Sequence, residues 1–136
     1  MLTNNLDQLR KASREGYAIP AINTQGGNYD IIMGICKAAE ELKSPIILAH
    51  YVSTGAFSGH DWFVNVAKWC AGKVSVPVSI HLDHGDGFPI CMEALRLGFT
   101  SVMIDGSTRP IEENAGLTQS VVNVAKYFNV PVEAEI

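Results

Sequence analysis

Five short apolar segments recur along the chain at near-constant intervals, each separated from the next by one longer stretch of helical character. This rhythm constrains the fold more than any other feature. The segments Tyr17–Asn23, Pro45–His50, Val76–His81, Thr100–Asp105 and Val130–Ile136 begin 28, 31, 24 and 30 residues apart. Each step is the size of one strand–helix–strand unit. The first three are continuous apolar runs rather than alternating ones, as strands covered by helices on a parallel sheet should be.

The intervening stretches read as helices. Tyr29–Lys43 places Ile31, Ile32, Cys36, Ala39 and Leu42 near one face, a helical period, and Ser44-Pro45 stops it. Asp61–Ala71 is a second helix, with Trp62, Val66 and Trp69 expected to pack on the sheet from one side. Phe88–Leu97 is a third and closes at Gly98. A fourth opens at Pro110, with Glu112 and Glu113 beside its positive end, and runs to about Phe128. A short amphipathic helix, Leu6–Arg14, precedes the first strand and ends at Gly16. Alternating strands and helices fit either a doubly wound open sheet or a (β/α)₈ barrel. Five strands suffice for the first. A barrel needs eight strands and typically about 250 residues, whereas this chain has 136 and stops inside an apolar strand. The expectation is therefore part of a longer polypeptide.

Composition narrows the class of function. Ten Lys+Arg against fourteen Asp+Glu give a net charge of −4, with no basic stripe to suggest nucleic acid or an anionic membrane. No apolar run reaches the ~18–20 residues of a membrane span, and the N-terminal stretch lacks the apolar core of a signal peptide. Cys36, Cys70 and Cys91 are odd in number and show no CxxC spacing. They read as reduced thiols in a cytoplasmic protein.

Chemistry-bearing residues gather where the strands end. The first finishes at Asn23, the second leads into His50, Tyr51 and Ser53, and the third into His81, Asp83 and His84. The fourth finishes at Asp105, and the fifth carries Glu133 and Glu135. In α/β barrels and open α/β sheets the carboxyl ends of the strands carry the site. Within His81-Leu82-Asp83-His84-Gly85, adjacent Asp83 and His84 would point to opposite faces of an extended strand. The chain must turn for both to reach one site, and Gly85 and Gly87 permit that. An imidazole suits Zn²⁺ and a neighbouring carboxylate suits proton transfer. The pair also reads as a histidine at a helix start, capped by Asp83 or Asp86. Asp105 and Glu135 add hard oxygen ligands that, with His84, could hold one or two divalent cations. Glu133 shares a strand face with Glu135 and is expected to pair with a neighbour, while His81 packs or supports. His60 begins or caps its helix, and Cys36 and Cys91 read as core. There is no P-loop or GxGxxG, and no lysine lies at a strand's carboxyl end.

The runs YAIPAIN, KSPIIL, VPVSIHLDHG, GFTSVMIDGS and VPVEAEI, in this order and spacing over essentially the whole chain, closely resemble the class II, metal-dependent ketose-bisphosphate aldolases, which include fructose- and tagatose-1,6-bisphosphate enzymes. The resemblance implies a (β/α)₈ TIM barrel, of which this chain would supply the capping helix and about the first five strands, so that 1–136 is the N-terminal part of one barrel domain. It implies that Asp83 is the catalytic acid/base at the substrate's C4 hydroxyl and that His84 is a ligand of a catalytic Zn²⁺. Asp105 and Glu135 would be ligands of a second divalent cation. Ser53 would contact the aldehyde-phosphate half, and Asn23 would lie near the site on the first strand. The substrate would be a small sugar bisphosphate, and the assembly a dimer or tetramer of one chain.

The family's chain is about twice this length. Its two further zinc-binding histidines, a Gly-rich loop carrying another acid/base glutamate, and its phosphate-gripping loops have no counterpart in these residues. An isolated 1–136 polypeptide is accordingly expected to be inactive and poorly soluble, with unclosed sheet edges. Two other readings stay open: a non-catalytic half-barrel or short α/β binding module, and an aldolase for a different sugar phosphate.

Overall fold

The computed structural model describes all of residues 1–136. Its five strands lie side by side in chain order, each parallel to the next: β1 (Ala21–Asn23), β2 (Ile46–Tyr51), β3 (Val78–Gly85), β4 (Ser101–Asp105) and β5 (Val132–Glu135). Six helices accompany them: α1 (Leu6–Glu15), α2 (Tyr29–Glu41), α3 (Val52–Ser58), α4 (His60–Ala71), α5 (Phe88–Leu97) and α6 (Ile111–Ala125). The order 1-2-3-4-5 without reversal is that of a barrel wall, since a doubly wound sheet reverses direction at its switch point. No helix is long and apolar enough to cross a membrane.

The two faces of the sheet are chemically different, because successive side chains point to opposite sides. The outer face carries Ile46, Leu48, Val78, Ile80, Leu82, Val102 and Ile104, all buried in one apolar cluster with the helices. The inner face carries the intervening residues: Ile47, Ala49 and Tyr51 on β2, Ser79, His81 and Asp83 on β3, Ser101, Met103 and Asp105 on β4, and Glu133 and Glu135 on β5. The continuous apolar look of β2 thus arises from two different environments. The start of α1 meets the amino ends of the strands. Thr3 N–H donates to Val78 O at 2.9 Å, and Asn5 Nδ2 donates to Ser101 Oγ at 3.0 Å. This is the bottom of the wall, opposite the site.

Several local expectations change. The first strand is only Ala21–Asn23. Pro20 has no N–H to give the ladder, although its carbonyl still accepts from Ile47 at 3.1 Å. Residues 52–58 form α3 rather than a loop. Val52, Thr54 and Gly55 are weak helix formers, but a side chain at 55 would run into His50 and His60, so glycine lets α3 sit directly on those rings. Trp62 and Trp69 are half-exposed instead of packed on the sheet. Phe63, Val64, Ala67, Cys70 and Ala71 take that place. The Trp62 indole donates to Gly27 O at 3.1 Å, and Trp69 meets the Tyr29 ring edge-on at 5.8 Å, so both close the outer seam toward α2. All three cysteines are buried, and burial pushes the Cys36 and Cys91 thiols up to about 11, far from nucleophilic.

His50 faces outward, not toward the strand ends. Its ring stacks on Phe63 at 4.1 Å and its Nε2 lies 3.1 Å from His60 Nδ1. Burial, with His60 beside it, pushes its pKa down to about 4. An unfolded chain would take up that proton near 6.5. Stability due to neutral His50 is therefore complete above pH 6.5 and lost as pH falls toward 4, by up to about 3 kcal/mol at ~1.4 kcal/mol per unit. Denaturant midpoints between pH 7 and 4 should fall more steeply for the wild type than for His50→Gln; parallel slopes would refute this.

Candidate metal and acid/base site

The site is built by a bulge. β3 and β4 pair Leu82 with Val102 but Gly85 with Ile104, so β3 spends one residue more than its partner. The extra residue lets two neighbours in sequence serve one mouth. His84 absorbs the distortion with φ of 51°, a left-handed conformation that histidine tolerates better than most residues. The turn thus lies at His84 itself rather than at Gly85 and Gly87. Gly85 contributes in another way. A Cβ there would press on Met103 O, so its absence lets β3 close back onto β4.

Three predicted ligands converge. Asp105 and Glu135 are partners in register on β4 and β5. His84 Nδ1 lies 2.9 Å from Asp105 Oδ2 and 3.4 Å from Glu135 Oε2. One ligand atom from each of His84, Asp105 and Glu135 falls within 4.8 Å of the others, close enough to hold a metal ion. The other oxygen of Asp105 accepts from Ser107 Oγ at 2.6 Å and Ser107 N at 3.0 Å. Those Ser107 bonds and the one from His84 hold the Asp105 carboxyl down to about 2. His84 is raised above its ordinary value, first by its hydrogen bond to Asp105 and further by Asp83 and Glu135. In effect a positive charge is wanted at the point where the three donors meet.

Asp83 lies beside this cluster. It follows His81 by two residues, so it shares the inner face, and it pairs in register with Tyr51. It makes no ion pair with His84, which leaves its carboxylate available. The inner face below is a separate polar chain. His81 Nδ1 lies 2.8 Å from Ser101 Oγ, and its Nε2 lies 3.5 Å from Glu133. Burial holds His81 below its ordinary value despite the Glu133 carboxylate. Glu133 is thus paired with a neighbour and His81 supports the wall.

A cavity of about 590 Å³ opens over the cluster, lined by Tyr51, Val52, Ser53, His84, Asp86, Asp105, Thr108 and Arg109. Ser53, at the start of α3, shares it with His84 and Asp105. Asn23 does not. It stands on β1, exposed, and its Oδ1 accepts from Gln25 N at 2.9 Å in a local turn. Asp86, Thr108 and Arg109 were not singled out from the sequence. Ser107 could have been, since Asp-Gly-Ser after a strand is a turn in which serine orients the aspartate. Asn114 also escaped notice. It is buried and its Nδ2 donates to Glu135 O at 2.6 Å, which ties the end of β5 to α6. No lysine lines the cavity.

Comparison with known proteins agrees with this geometry. A family model described as fructose-bisphosphate aldolase class-II matches residues 3–136. The chain is 44% identical over 137 residues to fructose-bisphosphate aldolase from Thermus caldophilus, covering all of this chain and 44% of that protein. It is 43% identical over 140 residues to probable fructose-bisphosphate aldolase from Bacillus subtilis (strain 168), covering 99% of this chain and 48% of that one. Among solved structures, the YdjI aldolase from Escherichia coli K12 superposes with a TM-score of 0.93 at 34% identity, over all of this chain and 52% of that one. A fructose-1,6-bisphosphate aldolase structure from Coccidioides immitis, described there as putative, gives 0.88 at 30% identity, over 97% of this chain and 46% of that one. The chain spans about half the length of the relatives it matches.

Proposed function

The chain belongs to the class II fructose-bisphosphate aldolase family, and from that premise we propose that it supplies the metal and acid/base part of an enzyme cleaving a ketose 1,6-bisphosphate into dihydroxyacetone phosphate and glyceraldehyde 3-phosphate. Fructose 1,6-bisphosphate is the first substrate to test, and tagatose 1,6-bisphosphate, its epimer at C4, the second. One observation carries the reading: the convergence of His84, Asp105 and Glu135 at the strand ends, with a free carboxylate, Asp83, next in sequence.

The residues fit a divalent cation. One imidazole nitrogen and two carboxylates form a donor set that Zn²⁺ accepts, and Ser107 already orients Asp105 by two hydrogen bonds, the outer support that metal ligands need. His84 would hold zinc, with Asp105 and Glu135 as the oxygen donors for it or for a second divalent cation. When bound, the cation supplies a Lewis acid that offsets charge developing on the ketose oxygens as the C3–C4 bond breaks. That chemistry requires no Schiff base, in keeping with a cavity wall free of lysine.

The chain's own residues do the rest. In cleavage, the Asp83 carboxylate accepts the proton of the C4 hydroxyl, C4 becomes the aldehyde carbon, and the C3–C4 electron pair moves toward the C2 carbonyl. In condensation Asp83 returns that proton to the new hydroxyl oxygen. A positioned carboxylate suits this step because the proton moves in the same event as the bond. Ser53 contacts the aldehyde-phosphate half from the start of α3, and Asn23 closes the first-strand side of the mouth.

The test is aldol cleavage by the full-length protein, followed by triose phosphate formation. Activity should vanish on chelation and return with Zn²⁺. Turnover that survives thorough metal removal would overturn the mechanism, and no cleavage of either bisphosphate with metal restored would overturn the substrate assignment.

A further inference from the structure

One charged residue on the cavity wall has no partner. The ion pairs of the molecule are Asp7–Arg10 and those of His81 and His84, and none involves Arg109. Its side chain makes no hydrogen bond, although Glu112 and Glu113 stand three and four residues further on. Arg109 is instead part of the wall that His84, Asp105 and Ser53 also form. Its backbone is tied to the ligand strand: Arg109 N–H donates to Gly106 O at 2.9 Å, in the same turn in which Ser107 holds Asp105. The guanidinium and the cation cluster thus belong to one short, braced segment.

The charge balance of the cavity says what this residue is for. Asp86 and Asp105 line the same space, so an anionic substrate group entering beside them meets repulsion. Arg109 is the only permanently cationic side chain on that wall, and its planar fork matches phosphate oxygens in pairs. Building on the aldolase reading above, we propose that Arg109 seats the phosphate of the aldehyde half of the substrate and thereby sets a preference for phosphorylated over uncharged aldehydes.

The experiment is condensation by the full-length, zinc-loaded protein of dihydroxyacetone phosphate with either glyceraldehyde 3-phosphate or glyceraldehyde. The wild type should favour the phosphorylated aldehyde. In Arg109→Gln the ratio of the two kcat/KM values should fall about ten- to hundredfold, the worth of a charge-assisted hydrogen bond, chiefly through KM for the phosphorylated aldehyde. Arg109→Lys should restore part of the ratio, because it keeps the charge but not the fork. An unchanged ratio in Arg109→Gln, or an equal loss with both aldehydes, would overturn the assignment. If the wild type condenses neither aldehyde, the aldolase reading itself fails.

Discussion

Asp83→Asn is expected to lower kcat for bisphosphate cleavage by about two to four orders of magnitude, the usual worth of a positioned acid/base group. Asparagine keeps the shape of the side chain and its inner-face position, two residues beyond His81 on β3. It removes only the capacity to accept the proton. Because Asp83 stands outside the His84–Asp105–Glu135 cluster, the variant should bind zinc with wild-type stoichiometry. The two readouts together are what make the assignment specific. A kcat within severalfold of wild type would remove Asp83 from the reaction. Loss of metal together with activity would make it a ligand or a structural support instead.

His84→Ala should act in the opposite order, with metal lost first and activity as a consequence. It deletes the only nitrogen donor of the cluster and leaves the Asp105 and Glu135 carboxylates facing one another without a cation between them. Loss of an outer-shell partner costs about ten- to a hundredfold in affinity, so loss of the ligand itself should cost at least about a hundredfold. Metal content after dialysis, measured beside circular dichroism to confirm folding, reads this directly. Ser107→Ala should give a smaller loss, because it removes the orienting bonds to Asp105 and not the ligand. A folded His84→Ala protein that retains stoichiometric zinc would refute the site.

The strands and helices were legible because their signals are local. Phe88–Leu97 is a helix with the expected bounds, its proline in the first turn and Gly98 in the left-handed position that ends it. Likewise, Asp105 and Glu135 could be expected on the inner face, since their neighbours Ile104 and Ala134 pair in register on the outer side. What local signals cannot report is which side of a strand a polar residue faces when the whole run is apolar. His50 ends an apolar strand as a site residue would, yet it lies against Phe63 and His60 in the helix layer. The tryptophans of α4 mislead for a related reason. Large apolar side chains look like core, but the small Ala67, Cys70 and Ala71 let that helix approach the sheet, which leaves the indoles to cover its flank.

By itself, the sequence determined the parallel α/β order and the residue types that can bind a cation and move a proton, because both follow from composition at fixed spacing. It also carried enough motif order to be placed among the class II aldolases. Tertiary structure alone decided how Asp83 and His84, adjacent in the chain, come to serve one mouth. The answer is a single inserted residue in β3, opposed by no partner in β4 and absorbed by a left-handed His84. It also decided that Arg109 reaches the cavity wall while the nearby glutamates do not pair with it. Register and side-chain direction are properties of two strands or of a turn and its surroundings, so they exist only once the chain is folded.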